Sequence, residues 1–64
     1  MDDFRVGDRV RFKPGLASGA HRRGQIGTVV AVHDPPAQGG PVVDVRFEDG
    51  QIERGIRSSQ IERG

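Results

Sequence analysis

Apolar and polar residues alternate in the first part of the chain, and a period of two along the sequence predicts a half-buried β-strand. Gly7-Asp8 interrupts this alternation and indicates a turn or bulge near the start of the strand. Pro14-Gly15 ends the strand, and a loop up to Gly24 follows. The apolar positions of this first strand are Phe4, Val6, Val10 and Phe12.

A second and a third strand follow from the same kind of pattern. The second extends over residues 25–33 with apolar groups on both faces, which predicts burial on two sides or a bulge at Gly27. In the third strand Val43, Val45 and Phe47 share one face, so these three side chains are predicted core residues.

The last part of the chain predicts a hairpin and two more strands. Asp49-Gly50 is a strong hairpin signal between the third strand and a fourth over residues 51–56, in which Ile56 is a predicted core residue. Residues 57–60 are too few for an α-helix and predict a single 3₁₀ turn, which leads into a short last strand over residues 61–63.

One pentapeptide occurs twice in this region, because residues 51–55 and residues 60–64 both read Gln-Ile-Glu-Arg-Gly. Five residues are too few for a repeat architecture. We interpret the recurrence as chance or as similar demands on two strands. If the second copy is a strand, Ile61 is its core residue.

Five short strands, a long first loop, a tight hairpin and a 3₁₀ turn before the last strand are the layout of an SH3-like barrel. We therefore predict an all-β fold, a five-stranded SH3-like barrel in a single domain that spans residues 1–64. No stretch repeats its apolar residues every 3.6 positions, so no α-helix is predicted. Closure of a barrel removes exposed sheet edges, which suits so small a chain.

The composition predicts self-association and a cytoplasmic location. The chain has no cysteine for disulfides, and small chains of this kind often gain stability by pairing with copies of themselves, so we predict a homo-oligomer, either a tetramer or a dimer. No apolar run approaches the roughly 20 residues that cross a membrane. Met1-Asp2-Asp3 is acidic where a signal peptide would be basic.

The net charge of +1 is distributed unevenly along the chain. Residues 5–24 contain six basic side chains and one acidic side chain, whereas residues 34–53 contain five acidic side chains and one basic side chain. This distribution indicates either a polarised surface or strand faces that neutralise each other in the folded chain.

Catalytic and metal-binding patterns are sparse. His21 and His33 lie in different loops, and a metal site needs three or four ligands, so we predict no metal site. The glycines of the first loop are not followed by the Gly-Lys-Ser/Thr of a phosphate loop. Glu48, Asp49 and Glu53 cluster at the predicted hairpin, and we interpret them as part of a solvated turn.

Basic residues in and before the first loop are the best candidates for contact with a partner. Two arginines beside a glycine at the end of this loop can form forked hydrogen bonds to phosphates, together with outward basic residues of the first strand. The chain has no tryptophan or tyrosine, and its three phenylalanines occupy core positions, which argues against a proline-peptide groove, a methyl-lysine cage and base stacking. The nucleic-acid-binding candidates are Arg9, Arg11, Lys13, Arg22 and Arg23.

Part of the chain resembles a KOW-type module. The matching features are the run Val6-Gly7-Asp8-Arg9-Val10-Arg11, the spacing Gly24-x-x-Gly27-x-Val29 and the apolar strand over residues 42–47. KOW-type modules are SH3-like pieces of ribosomal and transcription-elongation proteins, and their loops touch RNA or protein. The resemblance covers residues 6–50 and implies a binding module.

A second resemblance covers most of the chain and points to the plasmid-encoded, trimethoprim-resistant type B dihydrofolate reductases. It is carried by Phe4, Gly7-Asp8-Arg9-Val10-Arg11, Lys13, Gly15, Gly24-Gln25-Ile26 and Ile61-Glu62-Arg63. In that family four SH3-like protomers surround one pore, in which NADPH and dihydrofolate bind. The resemblance implies a homotetramer with NADPH as cofactor and with Gln51, Ile52 and Lys13 as site residues.

We predict a non-enzymatic binding or assembly module that acts by self-association, by phosphate contact through its basic face, or by both, without a cofactor. The alternative is an NADPH-dependent reductase of the type B kind, active only as a homotetramer, or an inactive relative of it. Glu53 follows Ile52 where that family has a tyrosine, and a carboxylate in the pore would repel anionic ligands. A third possibility is an accessory barrel that packs on a larger protein.

Overall fold

The computed structural model describes residues 4–15, 17–33 and 40–64. Five antiparallel strands form one sheet in the order β4-β3-β2-β1-β5, which confirms the predicted all-β class and strand number. Within the described ranges there is no α-helix. The strands are β1 (Arg9–Phe12), β2 (Gly27–His33), β3 (Val42–Phe47), β4 (Ile52–Arg57) and β5 (Ile61–Arg63), and the two 3₁₀ helices are η1 (Ala17–Arg22) and η2 (Ser58–Gln60).

The first strand is shorter than the alternation predicts, because a hydrogen-bonded turn precedes it. The backbone N–H of Asp8 donates to the Arg5 carbonyl at 3.0 Å, and the Arg5 N–H donates to Asp8 Oδ2 at 2.9 Å. Gly7 takes a φ of +98° in this turn, as its lack of a Cβ allows. Val6 lies at the tip and is 65% exposed, so its predicted place on the apolar face is wrong.

The second strand contains the irregularity that its two apolar faces suggested, but at another residue. The register of β2 against β3 shifts between Val29 and Ala31, so the extra residue is Val30 and not Gly27. A Cβ at Gly27 would collide with the Val45 side chain, which explains a glycine at this crossing of strands. Burial on two sides is wrong, since Val30 and Val32 are 39% and 40% exposed.

One apolar core lies on the inner face of the sheet. All six residues predicted to pack together in β1, β3 and β4 are buried, as are one residue before β1 and one each in β2 and β5. The Phe12 and Phe47 rings stack at 6.1 Å between centroids with 11° between their planes. The core consists of Phe4, Val10, Phe12, Val29, Val43, Val45, Phe47, Ile56 and Ile61.

The predicted hairpin joins β3 to β4 through three residues. The Phe47 N–H donates to the Gln51 carbonyl and the Gly50 N–H donates to the Phe47 carbonyl, both at 2.9 Å. Gly50 has a φ of +85°, the conformation that closes a three-residue hairpin loop with a bulge. The Gln51 N–H donates to Asp49 Oδ1 at 3.0 Å and stabilises the turn.

The last 3₁₀ turn and the last strand lie where the sequence predicts them. The 3₁₀ turn forms over Ser58–Gln60, and Gln60 Oε1 accepts a hydrogen bond from the Arg57 N–H at 3.2 Å. β5 begins directly afterwards and pairs with β1, with Ile61 opposite Phe12.

Candidate nucleic-acid interface

Three predicted phosphate-binding residues lie around one groove of about 260 Å³ beyond the end of β1. Arg11, Lys13 and Arg23 line it, together with apolar groups such as Phe12 and Pro14. No acidic side chain is among the described residues that line it. We call this feature the loop groove.

Two tight turns bring the walls of the loop groove together. Lys13 leaves β1 with its N–H donating to the Gln60 carbonyl at 2.9 Å, and Gly15 then reverses the chain with a φ of +86°. On the other wall Gly24, with a φ of +78°, follows Arg23 at the end of η1. Positive φ values of this kind favour glycine, which is why glycines occupy both turns.

The three cations of the loop groove differ in how they are paired. Arg11 donates from Nε and Nη2 to Glu62 Oε2, both at 2.8 Å, in a cross-strand pair between β1 and β5. Lys13 and Arg23 have no side-chain hydrogen bond or ion pair within the described parts of the chain. Exposed ion pairs contribute only about 0–1 kcal/mol, so Arg11 can exchange its carboxylate for a phosphate at little cost.

Arg22, also a predicted phosphate contact, does not line the loop groove and is engaged by protein groups instead. Its Nε donates to Glu53 Oε2 at 2.7 Å, and its Nη1 donates to Asp49 Oδ2 at 2.8 Å and to Gln25 Oε1 at 3.0 Å. The guanidinium carbon lies 4.5 Å from the centroid of the Phe47 ring, and the side chain is only 11% exposed. Its Nε and Nη1 atoms are therefore both occupied by protein groups.

Two carboxylates near the hairpin are likewise engaged: Asp49 lies in the exposed turn as predicted, whereas Glu53 lies in β4 and is only 25% exposed, so its interpretation as part of a solvated turn is wrong. His21 Nε2 lies 2.7 Å from Glu53 Oε2, on the same oxygen that accepts from Arg22. Burial raises the pKa of Glu53, but the hydrogen bonds from Arg22 and His21 outweigh it, so the pKa lies below its ordinary value. The Arg22 hydrogen bond, and then the Gln51 N–H, lower the pKa of Asp49.

These contacts join the basic first part of the chain to its acidic second part. Arg22 and His21 come from η1, and their carboxylate partners come from the hairpin and β4. The charge distribution allowed either a polarised surface or faces that neutralise each other. Charges of opposite sign pair between η1 and the hairpin, whereas positive side chains are in excess at the loop groove. The complementary charges of the two segments indicated in the sequence that the segments could pair. The sequence did not show which residues would pair.

Arg9, the remaining predicted phosphate contact, lies outside the loop groove. It is exposed on the outer face of β1, opposite Thr28 of β2, and its side chain has no ion pair among the residues that the structure describes. Arg9 and Arg11 are two positions apart on one strand and project from the same face, about 6.6 Å apart along the strand.

The residues implied by the reductase resemblance do not share the loop groove. Gln51 and Ile52 are exposed at the start of β4, whereas Lys13 lines the loop groove, which contains neither of them. Glu53 is only partly exposed, and it is bound by Arg22 and His21. Within one protomer the Glu53 carboxylate is engaged by Arg22, which it shares with Asp49.

Comparison of the chain with models of protein families, with characterised proteins and with solved structures found no match. Within residues 4–15, 17–33 and 40–64, no three side chains of the types that bind metals are grouped to hold an ion. Across the same ranges no helix has the length and apolar character required to span a bilayer.

Proposed function

We propose that the chain is a non-enzymatic binding module that holds backbone phosphates of nucleic acid in the loop groove. The observation that carries this proposal is the convergence of Arg11, Lys13 and Arg23 on one groove without a lining carboxylate. Arginine presents a planar fork that matches phosphate oxygens, and lysine supplies a compact point charge beside it.

The buried aromatic residues favour a duplex over a single strand as the partner. All three phenylalanines are buried, and the chain has no tryptophan or tyrosine, so none of these three ring types is available to stack on an unpaired base. Contacts to phosphates position a protein on nucleic acid but carry no direct sequence information. We therefore propose weak binding without sequence preference.

Fluorescence anisotropy of a labelled DNA duplex, titrated at several salt concentrations, tests this function. For the double variant Lys13→Gln and Arg23→Gln, we expect the log–log salt slope to fall by about 1.8, since each phosphate contact contributes about 0.9. Arg54→Gln with Arg57→Gln removes the same charge from exposed positions of β4 and should leave the slope near that of the parent. An equal loss in both double variants would show a general charge effect, and no binding at low salt would remove nucleic acid as the partner.

Self-association is the second part of the proposal. β4 and β5 form the two edges of the sheet, and an edge strand can pair with another chain. Exposed apolar side chains, among them Ile52 on β4, add surface that a second copy can bury. The solution mass from sedimentation measures this directly, and a strictly monomeric protein at high concentration would contradict it.

A further inference from the structure

A second groove, of about 350 Å³, lies on the outer face of β1, β2 and β3. Its center is a row of three side chains on adjacent strands, because Arg9 is the register partner of Thr28, which is in turn the partner of Arg46. Partners in antiparallel strands share a face of the sheet, so two arginines flank one hydroxyl. We call this feature the outer groove.

Both arginines of the outer groove are available to a ligand. Arg9 and Arg46 are exposed, and neither side chain has a hydrogen bond or ion pair within the described residues. Two strand spacings separate their Cα atoms, which is about 10 Å. Ile26 and the bulged Val30 provide apolar walls, and Glu48 is the acidic residue that lines the groove.

We propose that the outer groove is a second phosphate site, through which the same nucleic-acid duplex is contacted by Arg9, Thr28 and Arg46. The inference rests on the proposed function of the loop groove and extends it along β1. Arg9 lines the outer groove and Arg11 lines the loop groove, so β1 connects the two sites with outward basic residues. Sequence patterns did not predict this role for Arg46, because Arg46 lies in the acidic part of the chain.

The spacing of the charges favours a polyanion over a small anion. Two arginine side chains whose Cα atoms lie about 10 Å apart can close on one phosphate, but a backbone that repeats its charges can in addition engage Arg11 of the loop groove, two positions along β1 from Arg9. The Thr28 hydroxyl lies between Arg9 and Arg46, and hydroxyls are common donors to phosphate oxygens. An acidic peptide also repeats its charges, and competition distinguishes it from the duplex.

The salt dependence of duplex binding tests the outer groove separately from the loop groove. For Arg9→Gln with Arg46→Gln, we expect the slope to fall by about 1.8, as for the loss of two phosphate contacts. Arg54→Gln with Arg57→Gln is again the charge-matched control. If the loop-groove variant lowers the slope and the outer-groove variant does not, the second site is wrong and the proposed function stands. If the parent protein does not bind the duplex at low salt, both the second site and the proposed function are wrong.

Glu48→Gln provides a test whose expected result cannot be explained by misfolding, because the expected change is a gain of duplex affinity. Removal of the carboxylate from the outer groove should raise duplex affinity by roughly twofold to fivefold, the size of one exposed charge interaction. Unchanged or weaker binding would contradict a phosphate at this position. Polyglutamate at equal charge concentration should compete poorly, because a flexible peptide does not hold its charges in the fixed arrangement of a duplex backbone. Competition as strong as that of unlabelled duplex would instead identify acidic protein as the partner.

Discussion

Neighbouring arginines at the end of η1 take two different roles. Arg22 is held between two carboxylates and lies over the Phe47 ring, whereas Arg23 lines the loop groove without a side-chain partner among the described residues. The sequence places both arginines just before one glycine and predicts phosphate contact for both. It does not show in which direction each side chain points at the end of a 3₁₀ helix.

Replacement of Arg22 by lysine should therefore lower the melting temperature, although the charge is kept. A lysine ammonium has no planar fork to join two carboxylates and covers the Phe47 ring less well than a guanidinium. Arg23→Lys is the matched control and should melt like the parent. Thermal unfolding followed by circular dichroism measures both, and equal melting temperatures would show that the Arg22 contacts add nothing to stability.

The carboxylate partner of Arg22 predicts how stability depends on pH. The pKa of Glu53 is lowered in the folded chain from its ordinary value of 4.5, so the unfolded chain binds more protons in this range. The stability that Glu53 contributes is then fully present above pH 4.5 and is lost as the pH falls through the folded pKa. We expect Glu53→Gln to be less stable than the parent at neutral pH and to lose less stability on acidification. Parallel pH profiles for the two proteins would contradict this linkage.

At the scale of elements, alternation and turn residues predicted most of the sheet. β3, the hairpin, η2 and β5 lie where the pattern placed them, because the apolar face of β3 and the positive φ of Gly50 are local properties, and so is the short segment between β4 and β5. The differences from the prediction are the exposed turn at Val6, the exposed outer face of β2 and the position of its bulge, the register shift of β4 against β3, and the 3₁₀ helix η1, which was predicted as a loop. The register shifts depend on the pairing of strands, so the local pattern could not predict them.

Phe47 connects the core to the network around Arg22, and its truncation should unfold the domain. The Phe47 ring stacks on Phe12 on one side and contacts Arg22 on another, and the residue is 3% exposed. Phe47→Ala should cost about 3–5 kcal/mol, which is most of the stability of a domain this small. Val30→Ala at the exposed bulge is the control and should change stability little. Chemical denaturation measures both, and a Phe47→Ala protein as stable as the parent would refute this packing.

At the scale of the whole molecule, the near-zero net charge conceals separate surfaces. Ion pairs join the charges of η1 and the hairpin, whereas Lys13 and Arg23 at the loop groove, and Arg9 and Arg46 at the outer groove, have no ion pair among the described residues. A net charge of +1 argues against nucleic acid only if the charges are mixed evenly. Their arrangement in the fold is what supports a phosphate-binding surface.

The reductase alternative also belongs to this scale, since any pore would be shared between protomers. We expect no NADPH oxidation with dihydrofolate above background, even if the protein sediments as a tetramer, because Glu53 follows Ile52 where the resembled family has a tyrosine. Absorbance of NADPH measures the reaction. Turnover that resists trimethoprim and disappears in Gln51→Ala would establish the enzyme instead.

The repeated pentapeptide separates what the sequence determined from what the tertiary structure decided. The sequence by itself determined that both copies are strands, since the period of two and the adjacent turns are local properties. The copies nevertheless lie in opposite phase, with Ile52 46% exposed and Ile61 1% exposed. Glu53 turns inward to Arg22, while Glu62 faces outward to Arg11. The register of β4 against β3 shifts between Val43 and Val45, so Ile52 lies on the face opposite to Ile56 although the two are four positions apart. This shift, and the pairing of Ile61 with the buried Phe12, decide which face each copy buries, because identical residues have no phase preference of their own.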